Sequence, residues 1–294
     1  MTNTTTIAPD PAVTEDVAPD SAAATSAVTT GGGSRGIVAL LVTPVVLAVL
    51  SLVLYLYVGG AEKDSAERSA LDWGSKLYPQ MQTHVGLTLW STVIVLALAV
   101  PMGILLTRPM FRKGAPQVGR RELPRPIGGA FQYLSPSMLA VANVGQALPA
   151  YGLFILFLAW RGQGFATAVT ALVVFALLPV LRNTMVGLEQ VDPAVIEAGR
   201  GMGMSKFRVL LSIELPLAVP VILAGVRTAL VINVGMASLA FLIGGGGLGI
   251  TINSGLKLSR DLITVTGAGM VAILALSVDW VAAVVERVLR PKGL

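Results

Sequence analysis

Residues 85–106 read VGLTLWSTVIVLALAVPMGILL and contain no charged side chain. A membrane-spanning helix needs about 20 predominantly apolar residues, so this stretch is long enough to cross a bilayer. The rest of the chain has the same character, because 54% of its 294 residues are hydrophobic and only 13% are charged. Soluble domains carry roughly 25% charged residues. The chain is therefore predicted to be an all-α, polytopic membrane protein.

Five further stretches pass the same length test, so we expect about six transmembrane helices. They cover residues 37–58, 138–160, 165–181, 218–243 and 262–285. The stretches 138–160 and 218–243 contain Pro149 and Pro220, which membrane helices tolerate when neighbouring helices satisfy the freed carbonyl groups. Residues 1–35 lack aromatic side chains and are predicted to be a disordered tail. The remaining divisions are a first transmembrane helix with its outer loop, residues 36–84, and a transmembrane domain, residues 85–290.

The formal net charge of the chain is +5. In a soluble protein this excess would suggest nucleic-acid binding, but here the positive charges fall in loops between apolar stretches, so we expect no nucleic-acid partner. With the N-terminus inside, the internal segments hold fourteen Lys and Arg residues and the outer loops hold six. By the positive-inside rule, both termini and the 182–216 loop are predicted to be cytoplasmic.

The cytoplasmic segment 190–216 contains signals for two short helices. Asp192 and Pro193 are typical of a helix N-terminus, and the helix they start should break near Gly203. Ser205 can cap a second helix, in which Phe207, Leu210 and Leu211 share one face and Pro216 ends the helix before the next span. From these residues alone, an amphipathic linker lying on the lipid headgroups fits equally well.

The spacing within this segment resembles the EAA signature of the permease subunits of bacterial ABC importers. That signature is Glu-Ala-Ala, three residues, Gly, nine residues, Ile, one residue and Leu-Pro, and Gly199 in place of the second Ala is the one departure. The resemblance implies a coupling helix that docks on a cytoplasmic ATPase. The residues it assigns to this coupling are Glu197, Ala198, Gly199, Gly203, Met204, Ile213, Leu215 and Pro216.

Three longer stretches are similar to the osmoprotectant branch of the family: LPVLRNTMVGLEQVDPAVIEAGRGMG, ELPLAVPVILAGVRTALV and LAFLIGGGGLG. The resemblance implies a type I ABC importer permease fold in the bacterial inner membrane and transport of glycine betaine, choline, carnitine or proline. It also implies a second permease subunit, ATPase subunits and an extracytoplasmic binding protein as partners. The alternatives are a permease for another small solute such as an amino acid, an ion-coupled secondary transporter and a membrane scaffold.

The composition excludes several kinds of active site. The chain has no cysteine and one histidine, so thiolate and multi-histidine metal sites are excluded. It contains no Gly-Lys pair and hence no P-loop, and GGGGLG at residues 244–249 lacks the strand that a dinucleotide site needs. We therefore expect no enzyme activity and no cofactor in this chain, with ATP and Mg²⁺ held by the partner ATPase.

A few polar residues and glycines within the spans are candidates for the translocation path or its gate. They are Arg227, Asn233, Gly244, Gly245, Gly246 and Gly247. An intramembrane charge normally faces a cavity or a partner, so Arg227 is either a gate residue or the structural partner of a carboxylate such as Asp279. The four glycines are expected to form a flexible gating segment. Interhelical hydrogen bonding is the common use of residues such as Asn233, and His84 is expected at the membrane interface.

Overall fold

The structure, a computed structural model, describes residues 32–108 and 149–289, with side chains from Leu41 onward in the first range. All regular structure in these two ranges is helical. Its α-helices, in chain order, are Gly32–Gly60 (α1), Ser65–Ala70 (α2), Tyr78–Leu106 (α3), Ala150–Arg161 (α4), Phe165–Glu189 (α5), Pro193–Gly201 (α6), Lys206–Val209 (α7), Leu215–Ala237 (α8), Gly249–Leu258 (α9) and Asp261–Leu289 (α10).

The chain forms two compact units, Met1–Leu41 and Val42–Leu294. Of the first unit, the structure describes only the beginning of α1, and the predicted tail falls almost entirely outside the described residues. The site described below lies in the second unit.

Five segments within the described ranges are long and apolar enough to cross a membrane. They are Leu41–Gly60, Trp73–Leu106, Phe165–Glu189, Lys206–Ala237 and Asp261–Leu289. They correspond to five of the six predicted spans. The sixth, residues 138–160, is represented by the shorter helix α4, and its residues before Pro149 lie outside the described ranges. The prediction of an all-α polytopic membrane protein is confirmed.

The prolines are placed differently from expectation in two cases. Pro149 was expected inside a span, but it is the N-cap residue of α4. Pro216 was expected to end a helix, but it lies in the first turn of α8, which continues without interruption from α7 through the π-helical turn Leu210–Glu214. A π-turn widens the helix and shifts its hydrogen bonds to the i→i+5 pattern. The proline ring and its missing N–H are therefore accommodated where an α-helix would be kinked.

Helices α3, α5 and α8 form the core of the described unit. Its fully buried side chains include Leu87 of α3, Leu172 and Leu181 of α5 and Ala229 of α8. Small residues bring α5 and α8 together: a methyl group added at Gly225 would lie 2.6 Å from Cβ of Asn183 and 2.9 Å from the carbonyl oxygen of Pro179. Helix α10 packs along α8 and α9 at the edge of this core.

Candidate functional site

The coupling segment, residues 190–216, begins with the local structure that its sequence predicts. Asp192 caps α6, because its Oδ1 accepts a hydrogen bond from the backbone N–H of Ala194 at 2.8 Å, and Pro193 occupies the first turn. Ser205 caps α7, with its Oγ accepting from the backbone N–H of Arg208 at 3.3 Å. Both caps satisfy N–H groups that a helix N-terminus leaves free.

The two short helices are separated by a glycine turn, as predicted. Helix α6 ends at Gly201, and Gly203 has φ of +84°, a conformation that side chains with a Cβ rarely adopt. The backbone N–H of Met204 then donates to the carbonyl of Gly199 at 3.2 Å. The turn reverses the chain so that the second helix lies against the first.

Gly199, the departure from the EAA pattern, is buried inside this two-helix unit. A methyl group added at Gly199 would lie 2.6 Å from Cδ1 of Ile213, 3.5 Å from Sδ of Met204 and 3.6 Å from Cγ2 of Val209. Gly199 and Ile213 of the signature therefore pack together with Met204 and Val209, and these contacts hold the two helices together. Gly199 is therefore packed inside the coupling segment and is not part of its outer surface.

The outer surface of the coupling segment combines apolar and charged side chains. Phe207 is 68% exposed and Met202 is 76% exposed, and Glu197 and Ala198 are exposed as well. Phe207, Leu210 and Leu211 were expected to share one face, but Leu210 packs inward near Ala218 while the other two face outward. The reason is that the π-turn begins at Leu210 and changes the angular spacing of the residues.

Glu214, which the signature leaves unspecified, anchors the segment to the end of α3. Its Oε2 lies 3.0 Å from an Nη atom of Arg108 and its Oε1 lies 3.4 Å from the other, so the pair is bidentate. The Glu214 side chain is only 8% exposed, and the Arg108 side chain is 29% exposed. The sequence signal for this contact was the carboxylate of Glu214 within the apolar run LLSIELPL, because a buried charge requires a partner.

His84 ties α3 to α8 and to the glycine-rich turn. It is fully buried in α3 and lies within the span Trp73–Leu106. Its Nε2–H donates to the carbonyl of Val234 at 2.9 Å, and its Nδ1 accepts from the backbone N–H of Leu248 at 3.3 Å. Both ring nitrogens are thus used in a single neutral tautomer.

Gly244–Gly247, the predicted gating segment, form a closely packed turn. Gly244, Gly246 and Gly247 all have positive φ, and a methyl group at Gly247 would lie 3.2 Å from Nδ1 of His84. Gly245 lies against Ala168 of α5. The turn therefore links α3, α5 and α8 at the end of α8 that is remote from the coupling segment.

Asn233 joins α8 to α3 through a buried polar cluster. Its Nδ2 donates to Oγ of Ser91 at 2.9 Å and to Oγ1 of Thr92 at 3.3 Å, as the common role of interhelical hydrogen bonding predicts. Its Oδ1 is buried and has no hydrogen-bond partner among the described residues.

Arg227 pairs with Asp279, one of the two possibilities that the sequence left open. Nε of Arg227 lies 2.5 Å from Oδ1 of Asp279, and an Nη atom lies 2.6 Å from Oδ2. The pair links α8 to α10. A groove of about 300 Å³ adjoins it, with walls formed largely by Leu89, Leu230, Val278, Val281 and Ala282.

The loop between α1 and α3 carries its own charged contacts. An Nη atom of Arg260 lies 2.6 Å from Oδ2 of Asp64, which joins the loop to the start of α10. Hydrogen bonds from Ser75 hold the pKa of the Asp72 carboxyl below its usual range.

Within the described residues, no cluster of His, Asp and Glu has the composition of a metal site.

Comparison with known proteins identifies related chains. The protein family described as the binding-protein-dependent transport system inner membrane component matches residues 129–291. The glycine betaine/carnitine/choline transport system permease protein OpuCB of Bacillus subtilis (strain 168) is 36% identical over 221 residues, which are 75% of this chain and 92% of that protein. The osmoprotectant import permease protein OsmW of Salmonella typhimurium is 34% identical over 211 residues, 72% of this chain and 90% of that protein.

A solved structure of the MetNI methionine ABC transporter in inward facing conformations has the same fold. The TM-score is 0.60 at 21% identity, covering 73% of this chain and 96% of the other. The family match extends over more than half of the chain and includes the coupling segment, the glycine turn and the Arg227–Asp279 pair. This chain belongs to the binding-protein-dependent transport system inner membrane components, the non-enzymatic permease subunits of ABC importers.

Proposed function

We propose that this permease imports small compatible solutes such as glycine betaine, choline, carnitine or proline. The relatives named for these solutes support the substrate class. Its partners are a second permease subunit, identical or paralogous, two cytoplasmic ATPase subunits that hold ATP and Mg²⁺, and an extracytoplasmic binding protein. Family membership removes the ion-coupled transporter and the scaffold that the sequence left open.

The observation that carries the proposal is the coupling segment itself. Its inward residues, Gly199, Met204 and Ile213, hold two helices together, whereas Glu197 and Ala198 face outward with Phe207. An exposed apolar patch rimmed by charged residues is typical of a protein interface. The partner that binds this surface is the cytoplasmic ATPase. Both chain termini are predicted to lie on the same cytoplasmic side.

The connection from this segment into the membrane is rigid. The segment continues through Leu215 and Pro216 into α8, and the Arg108–Glu214 pair fixes it to α3. At the far end of the same two helices, His84 holds the glycine turn of Gly244–Gly247. A displacement of the segment by the ATPase therefore moves α3 and α8 together and reaches that turn, which forms the gate.

The absence of cysteine from the chain allows a direct test of the docking surface. We expect Phe207→Cys to cross-link to an engineered cysteine of the ATPase in the assembled complex. Leu256→Cys is the matched control. Leu256 is 64% exposed, close to the 68% of Phe207, but it lies in α9, beyond the glycine turn. Equal cross-linking of both variants, or none at Phe207, would show that the segment is not the docking element.

The substrate class requires a separate measurement. The purified complex with its binding protein is reconstituted in vesicles, and ATP-dependent uptake of betaine, choline, carnitine and proline is measured. Uptake of at least one solute is the expected result. If all four fail while ATPase docking persists, the osmoprotectant assignment is wrong and another solute, such as an amino acid, takes its place.

A further inference from the structure

The Arg227–Asp279 pair lies deep within the membrane-spanning region. Arg227 precedes the end of α8 by ten residues, and Asp279 precedes the end of α10 by ten residues. At about 1.5 Å per residue, each charge is about 15 Å from its helix end. Both charges therefore lie inside the apolar spans Lys206–Ala237 and Asp261–Leu289, away from the helix ends.

The described residues leave the pair partly exposed. The Arg227 side chain is 40% exposed and the Asp279 side chain is 26% exposed. Charged groups facing hydrocarbon are costly, and intramembrane ion pairs accordingly face a water-filled cavity or another protein. The surface that carries Arg227 and Asp279 is therefore not directed at lipid.

The adjoining groove has the size and composition for a small solute with one charged end. Its volume of about 300 Å³ lies between α3, α8 and α10, and Arg227 is the charged residue among those that line it. Asp279 follows the lining residue Val278 in the sequence. Apart from Ser277, the other lining residues are aliphatic and suit methyl groups that donate no hydrogen bonds.

We propose that this groove is a transient binding site for a zwitterion bearing a carboxylate and a quaternary ammonium group. The carboxylate takes the place of Asp279 on the guanidinium of Arg227, where planar bidentate pairing is favoured. The ammonium group then faces the released carboxylate of Asp279. The inference rests on the proposed function, because it assigns a place on the transport route to the same class of solutes.

Charge balance supports a zwitterion over a simple cation or anion. In the empty groove the two side chains neutralise each other, and in the occupied groove each is neutralised by one end of the solute. No net charge is buried in either state, which avoids the penalty of an unpaired ion. A cation such as choline offers nothing to Arg227 and gains less from the exchange.

Such a site is expected to be weak. A quaternary ammonium group is bound tightly by aromatic cages, and none of the groove-lining residues is aromatic. Weak binding suits a transport route, because the solute must leave the site as readily as it enters. High-affinity recognition remains with the separate binding protein.

The test compares betaine with choline in the same reconstituted complex. The double variant Arg227→Gln with Asp279→Asn removes both charges and keeps hydrogen-bonding side chains of similar size. We expect ATP-dependent betaine uptake to fall by about tenfold relative to choline uptake, since a charge-assisted carboxylate contact is lost. The change should appear in the maximal rate at saturating binding protein, with assembly of the complex unaltered.

A matched control uses the Arg260–Asp64 ion pair, whose side chains are 45% and 39% exposed. Arg260→Gln with Asp64→Asn neutralises an Arg–Asp pair outside the groove, and it should leave the betaine-to-choline ratio unchanged. Equal losses for both solutes in the Arg227 variant would overturn the proposal and indicate a structural role or a contact with the second permease subunit. An unchanged ratio with full activity would overturn it as well. If the parent complex transports neither solute, the proposed substrate class itself is wrong.

Discussion

The Arg108–Glu214 ion pair allows a quantitative prediction, because its two side chains differ in burial. Replacing Arg108 by Gln leaves Glu214, only 8% exposed, without its charged partner. Replacing Glu214 by Gln leaves Arg108, which is 29% exposed and still donates from Nε to the carbonyl of Ile104 at 3.2 Å. The two single variants should therefore differ in stability.

Removing one partner of a buried ion pair costs about 3–5 kcal/mol, because the remaining charge is unpaired. Glu214 can reduce this cost by binding a proton, so we expect Arg108→Gln to lower the free energy of unfolding by about 3 kcal/mol. Arg108 can turn toward solvent, so Glu214→Gln should cost only about 1 kcal/mol. The double variant should cost less than the two single variants together, because no unpaired charge remains.

The assay is reversible denaturation of the purified permease in mixed detergent, performed for the parent, both single variants and the double variant. A double-mutant cycle isolates the interaction between the two side chains. ATP-dependent uptake is measured in parallel, and it should fall in both single variants because the coupling segment loses its attachment to α3. In the denaturation measurement, Glu197→Gln is a control for loss of charge alone, because Glu197 is exposed and has no ion-pair partner at 4.0 Å or less among the described residues.

Two results would refute this reasoning. Equal destabilisation by the two single variants would mean that burial of Glu214 does not determine the cost. Additive effects in the cycle would mean that the two side chains do not interact, and the segment would then be joined to the membrane core by α8 alone.

Three further substitutions test other contacts. Gly203→Ala should destabilise the coupling segment by about 1–2 kcal/mol, because the φ of Gly203 is positive. Gly201→Ala is the control and should not destabilise it, because a methyl group at Gly201 meets no atom within 4 Å. Equal melting temperatures of the two variants would contradict this. Gly225→Ala should cost about 1–3 kcal/mol through overpacking against Asn183, measured by denaturation, and a neutral effect would mean that α5 and α8 separate readily. His84→Ala should increase labelling of a cysteine placed at Ser238 by a water-soluble maleimide. His84→Gln should increase this labelling less, because Gln keeps a donor to the carbonyl of Val234. Unchanged labelling in both variants would mean that His84 does not hold this end of α8 closed.

The sequence by itself determined the features that depend on neighbouring residues. Long apolar runs such as 85–106 predicted the spans, and residues two or three positions apart predicted the caps at Asp192 and Ser205. The turn at Gly203 followed from the same local rules. These predictions were correct because both features depend on residues that are close together in the sequence. A span needs one continuous apolar run, and a cap needs an acceptor next to the first N–H groups of the helix.

Only the tertiary structure decided the contacts between residues distant in sequence. Arg108 and Glu214 are 106 positions apart, and His84 lies 150 positions from Val234 and 164 from Leu248. Nothing local in the sequence distinguishes a histidine at the interface from one buried between helices. Gly199 and Pro216 show the same limit, because their roles depend on Ile213 closing onto α6 and on the π-turn that widens the helix before α8. Which partner a buried polar or small residue meets is set by how the helices pack, and that packing is a property of the whole fold.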